Sequence, residues 1–178
     1  MWHIMKTNAL SIANYFIELA RKEGVSITHL GLMKRVYIAY GFCLAILGRS
    51  VLDERFDRVE AWKYGPVIPS VYHSFKQYKD KPITEKTVVM TWDSDKGKAE
   101  YETPELEDTD VKKVVRMVWE RYKGMSDNEM VTLTHRKGTP WSLCYVPNMN
   151  AAIPDSFTKL FYEKLVSNIL RTNGHEEN

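Results

Sequence analysis

A chain of 178 residues with 44% hydrophobic and 27% charged side chains can bury about 70% of its unfolded surface, which excludes a disordered polymer and removes the need for disulfide or metal staples. Its 25 basic residues against 23 acids leave a formal charge of only +2, which argues against a protein built mainly to hold nucleic-acid phosphates. Cys43 and Cys144 each sit in an apolar run, with no Cys-x-x-Cys pair and no histidine at ligand spacing, so both are expected to be buried free thiols in a reducing cytoplasm.

Met1 to Met5 carries Trp2 and Ile4 but no long apolar region or small-residue cleavage site, so no secretory signal is expected. Thr7 or Asn8 can cap a first helix over residues 8–23, with Leu10, Ala13, Phe16 or Ile17, and Ala20 as its stripe and Gly24 as its stop. Thr28 caps a second, on which Leu30, Met33, Tyr37, Tyr40, Leu44 and Leu47 recur in steps of three and four. Val36, Ile38, Phe42 and Cys43 make that helix apolar almost all round, which places it in the middle of the fold. Its uncharged run from Val36 to Gly48 falls short of the roughly 20 residues that span a bilayer. Gly41 costs about 1 kcal/mol against alanine in a helix, which suggests the close approach of another helix.

The charged stretch 49–60 is expected to be solvated loop. It leads to Ala61-Trp62-Lys63-Tyr64-Gly65-Pro66-Val67-Ile68-Pro69, a corner where Gly65 permits a sharp turn and Pro66 and Pro69 suit the first turn of a helix. That helix would align Val67, Val71, Tyr72, Phe75 and Tyr78. Residues 83–92, rich in Thr, Val and Ile, predict a strand. The turn cluster 93–97 and residues 98–103 complete one β-hairpin.

Residues 100–110 hold six acids and no base. The helix that follows carries Val111, Val114, Val115, Val118, Trp119 and Tyr122 on one face and ends in Arg121 and Lys123, so acid at its start and base at its end complement the helix dipole. The carboxylates lack calcium-loop spacing. Ser126-Asp127-Asn128-Glu129 is a capping box opening a short helix to His135, and Thr139-Pro140-Trp141 opens another. A terminal helix beginning at Ile153-Pro154-Asp155 is expected to bury Phe157, Leu160, Phe161, Leu165 and Ile169, with residues 171–178 frayed. The fold class is therefore mainly α (α+β), a single domain over 1–178 with its core at about 8–170, made of six to seven helices and one small hairpin.

No phosphate-binding glycine loop, nucleophile elbow or His-Glu-x-x-His is present, and no metal, cofactor or catalytic constellation is expected. His135, six residues before Trp141, is placed to bond a backbone carbonyl and stack on the indole; acid–base catalysis by it is the weaker alternative. Lys76, Lys79, Lys81 and Lys86, with Trp92, offer a basic surface beside the hairpin, and a winged-helix DNA-binding regulator is the alternative reading of the whole chain. Interleaved acids Asp80, Glu85, Asp93 and Asp95 dilute that surface.

Ile12-Ala13-Asn14-Tyr15-Phe16, the run from Ile27 to Gly41, Glu60 to Val67 with Tyr72, Leu133-Thr134-His135 with Pro140-Trp141, and the terminal helix around Ile153 and Phe161 together resemble the Panacea antitoxin domain family of SocA- and GepA-like, phage-associated proteins. The resemblance runs from residue 12 to about 165. The family's second helix usually reads Leu-Gln-Lys-Leu-Leu-Tyr where this chain has Leu32-Met33-Lys34-Arg35-Val36-Tyr37, so Arg35 calls for a polar partner or an exposed edge. The resemblance implies a cytoplasmic, non-enzymatic antitoxin that binds a protein toxin encoded by a neighbouring gene, by sequestration or as an adaptor to a protease, with no membrane partner. It implies Trp62, Gly65, Pro66, Val67, His135, Pro140 and Trp141 as structural marks. The corner's surface residues Lys63, Tyr64, Tyr72 and Lys76 are the expected partner contacts, since aromatic and basic side chains are favoured anchors at interfaces.

Overall fold

Asn8 receives the backbone N–H of Ser11 while the Ser11 hydroxyl accepts from Asn8, and this reciprocal cap starts α1 (Ala9–Glu23), which Gly24 ends in the left-handed conformation. The computed structural model describes residues 7–173, and the expectations for Met1–Met5 and for residues 174–178 lie outside them. Thr28 caps α2 (His29–Ile46), which touches α1 and almost every later helix.

Next come strands β1 (Glu60–Trp62) and β2 (Gly65–Val67), then α3 (Pro69–Phe75) with a 3-10 turn over Lys76–Tyr78. A longer hairpin of β3 (Val89–Asp93) and β4 (Lys98–Glu102) precedes α4 (Thr109–Tyr122), α5 (Asp127–His135), α6 (Pro140–Cys144), a two-residue strand β5 (Ala151–Ala152) and α7 (Asp155–Asn173). The described residues thus form seven helices and two small antiparallel sheets, one in the order β2-β1-β5 and one of β3-β4 alone. No helix among them is long and apolar enough to cross a membrane.

The core gathers on α2 because its side chains are apolar in every direction. Gly41 lets α7 lie against it: a Cβ there would stand 2.3 Å from the Tyr162 ring. Arg35 is buried, and its Nη2 donates to the carbonyls of Tyr122 (2.9 Å) and Met125 (3.1 Å), closing the end of α4 where carbonyls lack helical partners. The polar partner is thus backbone. At the start of the same helix the Thr28 hydroxyl donates to Asp127 of α5.

Several sequence expectations change, among them the strand expected over 83–92, which begins only at Val89. Pro66 and Val67 belong to a strand, and the helix starts only at Pro69, because Ala61 and Trp62 pair back across the Gly65 turn. The chain therefore has two hairpins where one was expected. Residues 49–60 are not simply solvated: Asp53, Asp57 and Glu60 are buried, and Asp57 accepts from the Ser70 N–H (3.2 Å) and hydroxyl (2.7 Å), filling the place of a cap that Ile68 has no side-chain group to supply. Desolvation raises the Asp57 carboxyl above its ordinary range against those bonds. On α7 the inward residues are Thr158 and Tyr162, with Phe161, Leu165 and Ile169 partly covered, while Phe157 and Leu160 point to water. The helix continues through Asn173.

Candidate functional site: the Trp62–Pro66 corner

The corner is held from three directions. Trp62 is half-buried, its Nε1 donates to Glu60 (2.8 Å), and its ring packs on Tyr72 at 4.8 Å between centroids. Tyr72 in turn lies 5.1 Å from the ring of His29, so the first half of α2 supports α3 through tilted ring-on-ring packing. From the far end of the chain, Trp141 donates its Nε1 to the Trp62 carbonyl (2.8 Å).

His135 lies 3.8 Å from the Trp141 ring, with Nδ1 at 2.7 Å from the Val131 carbonyl and Nε2 at 3.3 Å from the Lys63 carbonyl. An imidazole with a carbonyl at each nitrogen braces the turn. Thr139 caps α6, accepts from Ser142 and donates to the Thr134 carbonyl (3.0 Å), so the loop carrying His135 and Trp141 is itself pinned.

Beneath the turn lies Lys34, 0% exposed, whose Nζ donates to the Pro66 carbonyl (3.1 Å). Burial drives its pKa down to about 7. Gly65 has φ +104°, a conformation side chains rarely adopt, and a Cβ there would come within 2.7 Å of the Lys34 amine and 3.0 Å of His135 Cε1. Sequence reading passed over Lys34 as a functional position, although a lysine inside a helix apolar on all sides has nowhere to go but inward.

Above this frame the tip is open. Tyr64 is 63% exposed, and the Lys63 amine rests 5.4 Å from the centre of its ring. Lys76 is exposed one helical turn beyond Tyr72, its amine 3.4 Å from His73 Nδ1. Lys63 and Tyr64 thus share the tip, Tyr72 backs it from below, and Lys76 stands just past the end of α3, in the 3-10 turn. Gly65, Pro66, Val67 and Pro140 are buried.

The basic surface proposed beside the β3-β4 hairpin is partly neutralised. Lys86 is paired with Glu18 and Glu105, and Lys96 with Asp93 and Glu100. The same hairpin exposes Met90, Trp92 (67%) and Tyr101 (74%); Met90 faces Tyr101 across the strands, and Trp92 lies two residues along. Sequence reading noted Trp92 but not its neighbours, which the strand register reveals.

Among the described residues no group of three or more His, Cys, Asp or Glu is placed to hold a metal. Both cysteines are free. Cys43 is buried and its thiol is pushed up to about 12, whereas Cys144 is only half-buried, against the expectation for it, because α6 turns one side to solvent.

The family model described as "Antitoxin SocA-like, Panacea domain" matches residues 32–142, the span from α2 to α6 that contains the corner and both hairpins. The chain is also similar to "Antitoxin SocA" of Caulobacter vibrioides (strain NA1000 / CB15N), 30% identical over 136 residues that cover 76% of this chain and 69% of that protein. No solved structure matches.

Proposed function

As the chain belongs to the SocA-like Panacea domain family, we propose that it is an antitoxin that neutralises a protein toxin, encoded by a neighbouring gene, by binding it directly. The observation that carries this reading is the corner itself: a tip bearing Lys63 and exposed Tyr64 on a frame held by Lys34, His135 and Trp141. A side chain presented on a fixed backbone loses little freedom on binding, which favours tight association. Tyr64 and Lys63 make the central contacts, Lys76 the outer one, and Tyr72 supports them. Both the single-domain organisation and the cytoplasmic setting belong to this proposal. So does the mode of action, sequestration without catalysis.

Each neighbouring gene is expressed alone and with this protein. One neighbour is expected to arrest growth alone and to be rescued by the wild-type chain; if none behaves so, the antitoxin reading fails. The pair Lys63→Glu and Tyr64→Ala is expected to lose rescue while its melting curve stays near wild type, and rescue at full strength moves the contact away from the corner. Toxin half-life separates the two modes: unchanged under sequestration, shortened when the antitoxin hands its toxin to a protease.

A further inference from the structure

Away from the residues of the corner, a cleft of about 620 Å³ opens between α2, the end of α4, the α5–α6 loop and α7. Its volume falls in the range of sites that enclose a small ligand or a few side chains, about 300–1,000 Å³. Tyr37, Tyr122, Phe161 and Tyr162 supply its aromatic walls. Burial raises the Tyr37 and Tyr162 hydroxyls above their ordinary values, so these walls stay neutral.

The charges on the cleft have one sign. Arg121 comes from the end of α4, Arg136 and Lys137 from the α5–α6 loop, and no acid is among the lining residues. All three cations are exposed, and none forms an ion pair within the described residues, in contrast to Lys86, Lys96 and Lys123, each of which has a carboxylate at hand. Arg136 and Lys137 follow the last turn of α5 directly, in the segment fixed by the Thr139 bonds. A cationic rim around a neutral aromatic hollow complements a chain segment with a large apolar side chain flanked by carboxylates.

We propose that this cleft is a second docking site on the toxin-binding antitoxin, and that its occupant is an acidic segment of the toxin that seats an aromatic or aliphatic side chain against Phe161 and Leu165, over the buried rings of Tyr37 and Tyr122, with its carboxylates on Arg136 and Lys137. The inference rests on the antitoxin reading. It adds a site that the corner does not include, lined by the same 133–140 segment that carries His135, so a single toxin gripping both would hold that segment at two places.

The test uses the neighbouring gene product whose toxicity this protein relieves, cut into overlapping 15-residue synthetic peptides, each titrated against the antitoxin by fluorescence anisotropy. Peptides that bind are expected to pair Asp or Glu with a large apolar residue, to weaken as salt rises, and to lose roughly tenfold or more in affinity against the double variant Arg136→Glu, Lys137→Glu. Exchanging the acids of the bound segment for lysine in the whole toxin should then restore rescue by the double variant. The variant's melting temperature is measured alongside, and both positions are exposed and outside the core, so it is expected to match wild type.

Binding peptides without acids, or affinity and rescue untouched by the charge reversal while Lys63→Glu with Tyr64→Ala abolishes rescue, overturn the cleft and leave the antitoxin reading standing. A small organic anion released on denaturing the purified protein, detected by mass spectrometry, assigns the cleft to a metabolite and also overturns it. If no neighbour is rescued, both readings fall together.

Discussion

Each hairpin carries two aromatic residues, Trp62 and Tyr64 in one and Trp92 and Tyr101 in the other, yet one is enclosed and the other stands in water. In β1-β2 the strands add to β5, the turn sits on Lys34, and Trp141 and His135 reach its backbone carbonyls. In β3-β4 no further strand among the described residues continues the sheet, and Trp92, Met90 and Tyr101 are exposed. Among the described residues that second hairpin is held at its root: Asn14 donates to the carbonyls of Thr87 (3.1 Å) and Pro104 (2.9 Å) and accepts from the Thr87 N–H (2.8 Å), with Lys86 bridging Glu18 and Glu105 beside it. What distinguishes the hairpins is which other segments of the chain arrive on them, and local sequence is nearly silent about that.

The largest expected difference comes from one substitution made in both turns. Gly65→Ala forces a side chain into φ +104° and against Lys34 and His135, and is expected to destabilise by about 2–5 kcal/mol from backbone strain and overpacking together. Gly97→Ala, at φ +60° with nothing within 4 Å, should cost only about 1 kcal/mol. Urea midpoints measure both. Equal costs would show that the β1-β2 turn is not enclosed as described.

Lys34 makes the enclosed hairpin sensitive to pH. Its folded pKa of about 7 lies below the 10.5 of an unperturbed lysine, so between those values the unfolded chain holds the additional proton and stability rises with pH. Below pH 7 the cost of burying the charge is fully present. Between pH 7 and 9, before thiols raised by burial in the fold oppose the trend, stability should climb by at most about 1.4 kcal/mol per pH unit. Lys34→Met is expected to flatten the slope in denaturant titrations, and a slope that survives the substitution assigns it to other groups.

Asn14→Ala attacks the exposed hairpin at its root. Two carbonyls and one N–H lose their partner, at a cost of about 1–3 kcal/mol, and amide exchange should accelerate across 89–102 while residues 60–67 stay protected. Protection lost equally in both would mean that the hairpins are coupled. The smallest effect belongs to Trp92→Ala, which should change stability by no more than about 0.5 kcal/mol because the ring is 67% exposed; a larger loss in thermal melting would reveal packing on the hairpin face.

Much of the helical frame was legible because its signals are local. Asn8, Thr28, Ser126 and Thr139 each cap the helix that follows them, and a cap acts within three residues of itself. Gly41 announced a close neighbour but could not name Tyr162. Val67 was misplaced into a helix because its strand partner, Glu60, is chosen by pairing across the Gly65 turn. Asp57 looked like loop charge because its partner, the start of α3, lies 13 residues away. Arg136 and Lys137 drew no notice, since a cleft formed by segments from residue 37 to residue 165 has no signature in any one of them.

The sequence by itself determined the helices, their caps, the central place of α2 and the family, because periodicity, capping and motif order are properties of neighbouring residues. Only the tertiary structure decided that Lys34 lies buried under the Gly65 turn on the Pro66 carbonyl, that His135 and Trp141 grip the backbone of residues 62 and 63, and that one hairpin is enclosed while the other is bare. Those facts depend on contacts between segments 30 to 80 residues apart. Such contacts are settled by the joint packing of all the helices on α2, where no local preference is strong enough to choose.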